Sequence, residues 1–119
     1  IEALKPSYIS GLTLLGGEPM EPQNQAALLP LLKRVRETFG KTKNIWCYTG
    51  YTLETDLLKP SRARCEYTDE MLKNIDTLVD GEFIEDLKNL MLKFRGSSNQ
   101  RIINVPETLK SNEVVLEMA

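Results

Sequence analysis

The stretch Gly11-Leu12-Thr13-Leu14-Leu15-Gly16-Gly17-Glu18-Pro19 begins with an apolar run that stops abruptly at two glycines. A run this short, with Leu12, Leu14 and Leu15 filling both faces, predicts a buried strand of a parallel sheet over Gly11 to Leu15. The Gly16-Gly17 pair then turns the chain, lets a ligand approach the backbone and exposes peptide carbonyls. Glu18 adds a carboxylate, and Pro19 stiffens the exit. Such acceptors suit an ammonium group. Taken alone, a tight turn with a solvated Glu18 accounts for the same residues equally well.

The pattern recurs downstream. Asn44 to Tyr48 reads as a second strand ending at Thr49-Gly50, Thr77 to Val79 as a third leading into Asp80-Gly81, and Arg101 to Val105 as a fourth after the polar loop Gly96 to Gln100. Between them, Asn24 caps a short turn and Pro30 opens a helix that runs to Phe39. Leu31, Leu32, Val35 and Phe39 face inward there, Lys33, Arg34 and Arg36 face outward, and Gly40 is the stop. Thr52 to Leu58 and Thr68 to Asn74 predict short helices, the second capped by Thr68 with Asp69 and Glu70 at its positive end. Lys59 to Arg64 is loop, and the tail beyond Pro106 carries no decisive pattern. Strands alternating with helices predict a parallel α/β architecture in a single domain, residues 1–119. Its three turns would gather at the carboxyl edge of the sheet, where such folds bind ligands.

Composition narrows the function. The 119 residues include 41% hydrophobic and 27% charged residues, ordinary globular usage, and a net charge of -2 leaves no basic field to attract nucleic acid or an anionic membrane. No apolar run reaches the roughly 20 residues a membrane helix needs, so a cytoplasmic protein is expected. The chain has no histidine, which excludes hydrolases that depend on a histidine base. Its two cysteines, Cys47 and Cys65, make neither a disulfide framework nor a close metal cluster. Gly11 to Gly16 has the spacing of a phosphate-binding loop, but Gly17-Glu18 stands where Lys-Ser/Thr is needed, and no dinucleotide fingerprint occurs. Trp46, Tyr48 and Tyr51 are better placed for core packing than for base stacking.

Four stretches in order, Gly11 to Pro19, Ile45-Trp46-Cys47-Tyr48-Thr49-Gly50-Tyr51, Leu78-Val79-Asp80-Gly81-Glu82-Phe83 and Phe94-Arg95-Gly96-Ser97-Ser98-Asn99-Gln100-Arg101, carry a specific resemblance. The chain resembles the activating enzymes of anaerobic ribonucleoside-triphosphate reductase, a family of radical-SAM proteins. The resemblance implies a partial parallel (β/α) radical-SAM barrel, truncated at its N-terminal cluster-binding strand and loop. It implies S-adenosylmethionine as cofactor, its amino group received by Gly16, Gly17 and Glu18 with Pro19 beside them. A [4Fe-4S] cluster in the full-length parent would cleave the cofactor, and a glycyl radical would form on the large subunit of the reductase, with a reducing electron donor such as flavodoxin.

Thr49 and Gly50 are candidates for the cofactor's ribose or carboxylate, although a turn explains them equally. Asp80, Arg95, Ser97, Ser98 and Asn99 are candidate contacts to partner or cofactor. The family's Cys-x3-Cys-x2-Cys loop is not in this sequence, so no metal ligand and no catalytic residue is assigned, and the chain is expected to be inactive as it stands and part of something longer. A non-catalytic module binding the large reductase subunit, and an activase for another glycyl-radical enzyme, are the alternatives.

Overall fold

A computed structural model of the chain describes residues 11–15, 17–82, 84, 95, 97 and 99–118. Its elements are β1 (Gly11–Leu14), α1 (Pro22–Phe39), β2 (Asn44–Tyr48), one π-helical turn (Leu53–Leu57), α2 (Thr68–Lys73), β3 (Thr77–Asp80), β4 (Arg101–Asn104), α3 (Val105–Ser111) and β5 (Leu116–Met118). The strands form one sheet in the order β1-β2-β3-β4-β5. β1, β2 and β3 run parallel, as the alternation of strand and helix predicts. The all-parallel expectation fails beyond them, because β4 pairs antiparallel with β3 and β5 antiparallel with β4. The fold is therefore a mixed α/β sheet. β5 is unforeseen, because three residues at the end of the chain carry too little period to announce a strand.

Register sets the core. Leu14, Cys47, Leu78 and Ile103 stand side by side across four strands, with Leu116 of β5 continuing the row. Ile45 precedes Cys47 by two residues and so shares its face. Against that face pack Leu29, Leu32 and Val35 of α1, Met71 and Leu72 of α2, and Ile75, all buried. Gly11 is required by the edge pairing itself: a Cβ there would stand 1.9 Å from the Asn44 carbonyl oxygen of the neighbouring strand. Leu15 does not belong to the strand, and at 66% exposed it lies outside the core expected of it.

α1 begins at Pro22 and continues through Pro30, which is not a helix start. Proline at that place has no N–H to give the carbonyl four residues back, a defect costing about 3 kcal/mol. Burial of Leu29, Leu32 and Val35, at about 1.5–3 kcal/mol each, outweighs it. The buried stripe is Gln25, Leu29, Leu32 and Val35, while Leu31 is exposed. Asn24 lies inside the helix rather than capping a turn, and its Nδ2 donates to the Glu18 carbonyl at 2.7 Å. Arg36 does not face outward. Its guanidinium donates to the Gly40, Lys43 and Asn74 carbonyls and to Asp76 Oδ2 at 2.8 Å, joining the end of α1 to the start of β3. The stop at Gly40 is as expected, with φ +58.

Thr68 is the first residue of α2 and not its cap. Its buried hydroxyl donates to Gln25 Oε1 at 2.8 Å and accepts from the Cys65 N–H at 2.9 Å. Gln25 Nε2 donates in turn to the carbonyls of Met20 at 2.6 Å and Ala63 at 2.8 Å. One buried amide thus ties α1 to the loop before it and to the segment leading into α2. Val105 begins α3 rather than ending β4, because Asn104 caps the helix by accepting from the Glu107 N–H at 3.0 Å, with Pro106 in the first turn. Gln25→Leu removes donors and acceptor together while keeping the volume. It is expected to lower stability by about 1–3 kcal/mol in urea denaturation; an unchanged midpoint would show that the buried amide contributes nothing net.

Candidate functional site

The candidate site gathers where β1, β2 and β3 end. Glu18 follows β1, Thr49 and Gly50 follow β2, and Asp80-Gly81 closes β3. The Glu18 carboxylate bridges the first two exits: Oε2 accepts from Thr49 Oγ1 at 2.6 Å and from the Met20 N–H at 3.0 Å, and Oε1 accepts from the Gly50 N–H at 2.6 Å. The Gly81 N–H donates to the Tyr51 carbonyl at 2.9 Å, which joins the third exit to the second. The predicted gathering of turns is therefore present. Gly17 is exposed, with φ +42 and open space where a Cβ would stand. Pro19 and Thr49 are buried. A cleft of about 370 Å³ adjoins the turn, lined by Thr13, Leu15, Gly17, Pro19, Asn24 and Leu28 among others. Gly16 and Ser98 lie outside the described residues.

Arg95, Ser97, Asn99 and Gln100 are fastened to the same edge. Gln100 Nε2 donates to the Gly81 carbonyl at 3.1 Å, and Asn99 Nδ2 donates to that of Glu82 at 2.7 Å. Ser97 is buried, its hydroxyl donating to Asn99 Oδ1 at 2.6 Å, while Arg95 donates to the Gln100 carbonyl at 2.6 Å. These side chains hold their own loop and the segment after β3 together. The rest of the hydrogen-bond path runs from Glu18 through Gly50, Tyr51 and Gly81 to Gln100.

Asp80 is only 1% exposed and carries its charge on the helix-facing side of the sheet. It stands directly opposite Arg101 in the antiparallel pairing, accepting from Nε at 3.0 Å and Nη2 at 2.6 Å, and its Oδ2 also accepts from the Leu53 N–H at 2.9 Å. Arg101 also pairs with Glu54. The hydrogen bond from Arg101 holds the Glu54 carboxyl below its ordinary range. Reading the sequence missed Arg101 and Glu54. The available signal was one charge at the end of Thr-Leu-Val-Asp and an opposite one at the start of Arg-Ile-Ile-Asn, strands short enough to meet end to end. Tyr51 donates to Glu21, a bond that pushes its proton affinity up, and Arg62 pairs with the same carboxylate at 3.3 Å.

The cysteines do not fit an iron-sulfur cluster, which takes three or four thiolates. Cys47 is buried, and burial, reinforced by the nearby Glu18 charge, pushes its thiol up to about 12, the opposite of a ligand thiolate. Cys65 is half-buried with Sγ 3.5 Å from Gln25 Oε1. Among the described residues no group of three or more His, Cys, Asp or Glu is placed to hold a metal ion. Nor is any described helix long and apolar enough to cross a membrane.

This chain belongs to the family described as 4Fe-4S single cluster domain, which it matches over residues 1–103. Its relatives are more particular. It is 44% identical to the anaerobic ribonucleoside-triphosphate reductase-activating protein of Pasteurella multocida, over 86% of this chain and 61% of that protein. The protein of the same name from Haemophilus influenzae is 45% identical over 86% of this chain and 61% of its own length, and that of Enterobacteria phage T4 is 40% identical over 83% and 56%. The chain thus spans 56–61% of the length of these relatives. No solved structure matches it significantly.

Two outcomes test the site's chemistry. Arg101→Ala strands the buried Asp80 charge and is expected to cost about 3–5 kcal/mol in urea denaturation, whereas Glu54→Ala, with its side chain 43% exposed, costs under about 1 kcal/mol. Equal losses would contradict the dependence of Asp80 on Arg101. The raised Cys47 thiol contributes stability that is fully present below pH 9.0 and is lost as pH rises from 9.0 towards about 12, since only the unfolded thiol ionises in that window. Cys47→Ala should therefore flatten the alkaline decline of the melting temperature, and an unaltered slope would refute the assignment.

Proposed function

We propose that this chain is a portion of a radical-SAM activating protein that serves to generate the glycyl radical on the large subunit of anaerobic ribonucleoside-triphosphate reductase. The observation carrying this reading is the convergence of the Gly17-Glu18-Pro19 turn on Thr49 and Gly50 at the carboxyl edge of parallel strands, in a chain related to proteins named for that activation. In this reading β1, β2 and β3 are part of a (β/α) barrel whose ligand edge they form. The chain's own task is to bind and orient S-adenosylmethionine, its amino group at the turn of Gly16, Gly17, Glu18 and Pro19, with Thr49 and Gly50 adjoining.

Arg95, Ser97 and Asn99 border the same edge and, together with Ser98, serve as contacts to the reductase. Asp80 acts at a distance from the ligand, through Arg101 and the Leu53 N–H, by holding β3's end in place. Reductive cleavage of S-adenosylmethionine needs a [4Fe-4S] cluster, and this chain's two cysteines do not supply its thiolates.

Equilibrium dialysis of the chain with S-adenosylmethionine tests the binding role. Saturable binding is expected, weakened about tenfold or more by Gly17→Val, because a β-branched residue opposes the positive φ at this open turn. When the same residues are present in a protein that also bears the cluster, anaerobic reduction with the reductase should yield 5′-deoxyadenosine and a glycyl-radical EPR signal. Absence of both under competent reduction would sink the proposal.

A further inference from the structure

Away from the strand exits, the π-helical turn and α3 border a groove of about 140 Å³, lined by Glu54 and Leu58 on one side and by Leu109, Glu113 and Val114 on the other. Its apolar lining is open to solvent: Leu58 is 39% exposed, and Leu109 and Val114 are half-buried. Both walls are fixed by hydrogen bonds within the chain. The Leu58 N–H donates to the Leu53 carbonyl at 2.9 Å, and Glu54 is paired with Arg101. Opposite, the left-handed Asn112 ends α3, its N–H donating to the Thr108 carbonyl at 2.9 Å. The Val115 N–H then donates to Thr108 Oγ1 at 2.9 Å, which brings Glu113 and Val114 back alongside the helix. This second wall lies beyond the residues 1–103 that the family model matches.

The two carboxylates of the groove differ. Glu54 is compensated by Arg101 and by Lys59, both of which favour its charged form. Glu113 is exposed, and among the described residues its carboxylate enters no ion pair, not even with Lys110 in the last turn of α3.

We propose that this groove docks a lysine side chain of a protein partner, its stem against Leu58, Leu109 and Val114 and its ammonium at the Glu113 carboxylate. An apolar groove bordered by one free carboxylate matches an unbranched hydrocarbon stem with a compact charge at its tip. Arginine fits less well, because its planar fork seeks a carboxylate in bidentate geometry, and Glu54 already holds a guanidinium. The docking is independent of S-adenosylmethionine binding, and either fails without the other.

The test follows the methyl NMR signals of Leu58, Leu109 and Val114 in the full chain during titration with a five-residue peptide that carries one central lysine between leucines. Two control peptides replace that lysine by its acetylated form, which keeps the stem and removes the charge, and by a diamino acid three methylenes shorter. Saturable shifts at all three residues are expected with the lysine peptide. Acetylation should weaken binding about three- to fivefold, the range of an exposed ion pair, and shortening the stem about tenfold or more. Glu113→Gln should reproduce the loss for the lysine peptide and leave the acetylated peptide unaffected, whereas Leu58→Ala should weaken both. Both substitutions fall on residues open to solvent, so the fold is retained.

Absence of saturable shifts at these methyls would overturn the proposal. Equal affinity for the lysine and acetylated peptides, with Glu113→Gln silent, would also overturn it and leave a groove for apolar side chains alone. Shifts that follow the concentration of the chain without peptide would assign the groove to a second copy instead.

Discussion

The register of the three parallel strands is the constraint on which the rest depends. Setting Leu14 beside Cys47 and Cys47 beside Leu78 gives the helices one continuous apolar surface to cover, and it makes the carboxyl ends of the strands level. A slip of one residue would turn Cys47 and Leu78 away from α1 and α2 and put Trp46 and Thr77 in their place. The pairing begins with Gly11 against the Asn44 carbonyl, where no other side chain fits. Level strand ends are what allow a carboxylate leaving β1 to reach a hydroxyl and an amide leaving β2.

Polar groups then lock this arrangement at three depths. Gln25 and Thr68 do so inside the helix layer, Asp76 and Arg36 at the amino ends of β2 and β3, and Glu18 with Thr49 and Gly50 at the carboxyl ends of β1 and β2. Every buried side-chain polar atom among the described residues has a partner. Such groups cost several kcal/mol when left unpaired and contribute little net when paired. They therefore specify geometry more than they add stability. Asp80 is the extreme case, since its charge is tolerated in the core only because Arg101 lies opposite it.

The site combines rigidity with an opening. Glu18, Thr49, Tyr51 and Gly81 are hydrogen-bonded to one another's segments, while Gly17 presents bare backbone beside a cleft. Relatives named for activating a reductase match 86% of this chain.

What the sequence by itself determined is local. The glycines after short apolar runs marked the strand ends, the spacing of Leu32 and Val35 marked a helix, Gly40 its end, and the ordered motifs from Gly11 to Arg101 marked the family. Those signals depend on neighbours a few residues apart, within reach of backbone sterics and helical or strand period. The tertiary structure alone decided that β4 and β5 run antiparallel, that α1 passes through Pro30, that Arg36 turns inward, and that Gln25 and Glu18 find partners 43 and 31 residues away. Side-chain pairing over such distances follows from the three-dimensional path of the chain, which packing of the whole apolar surface selects, and no local pattern records it.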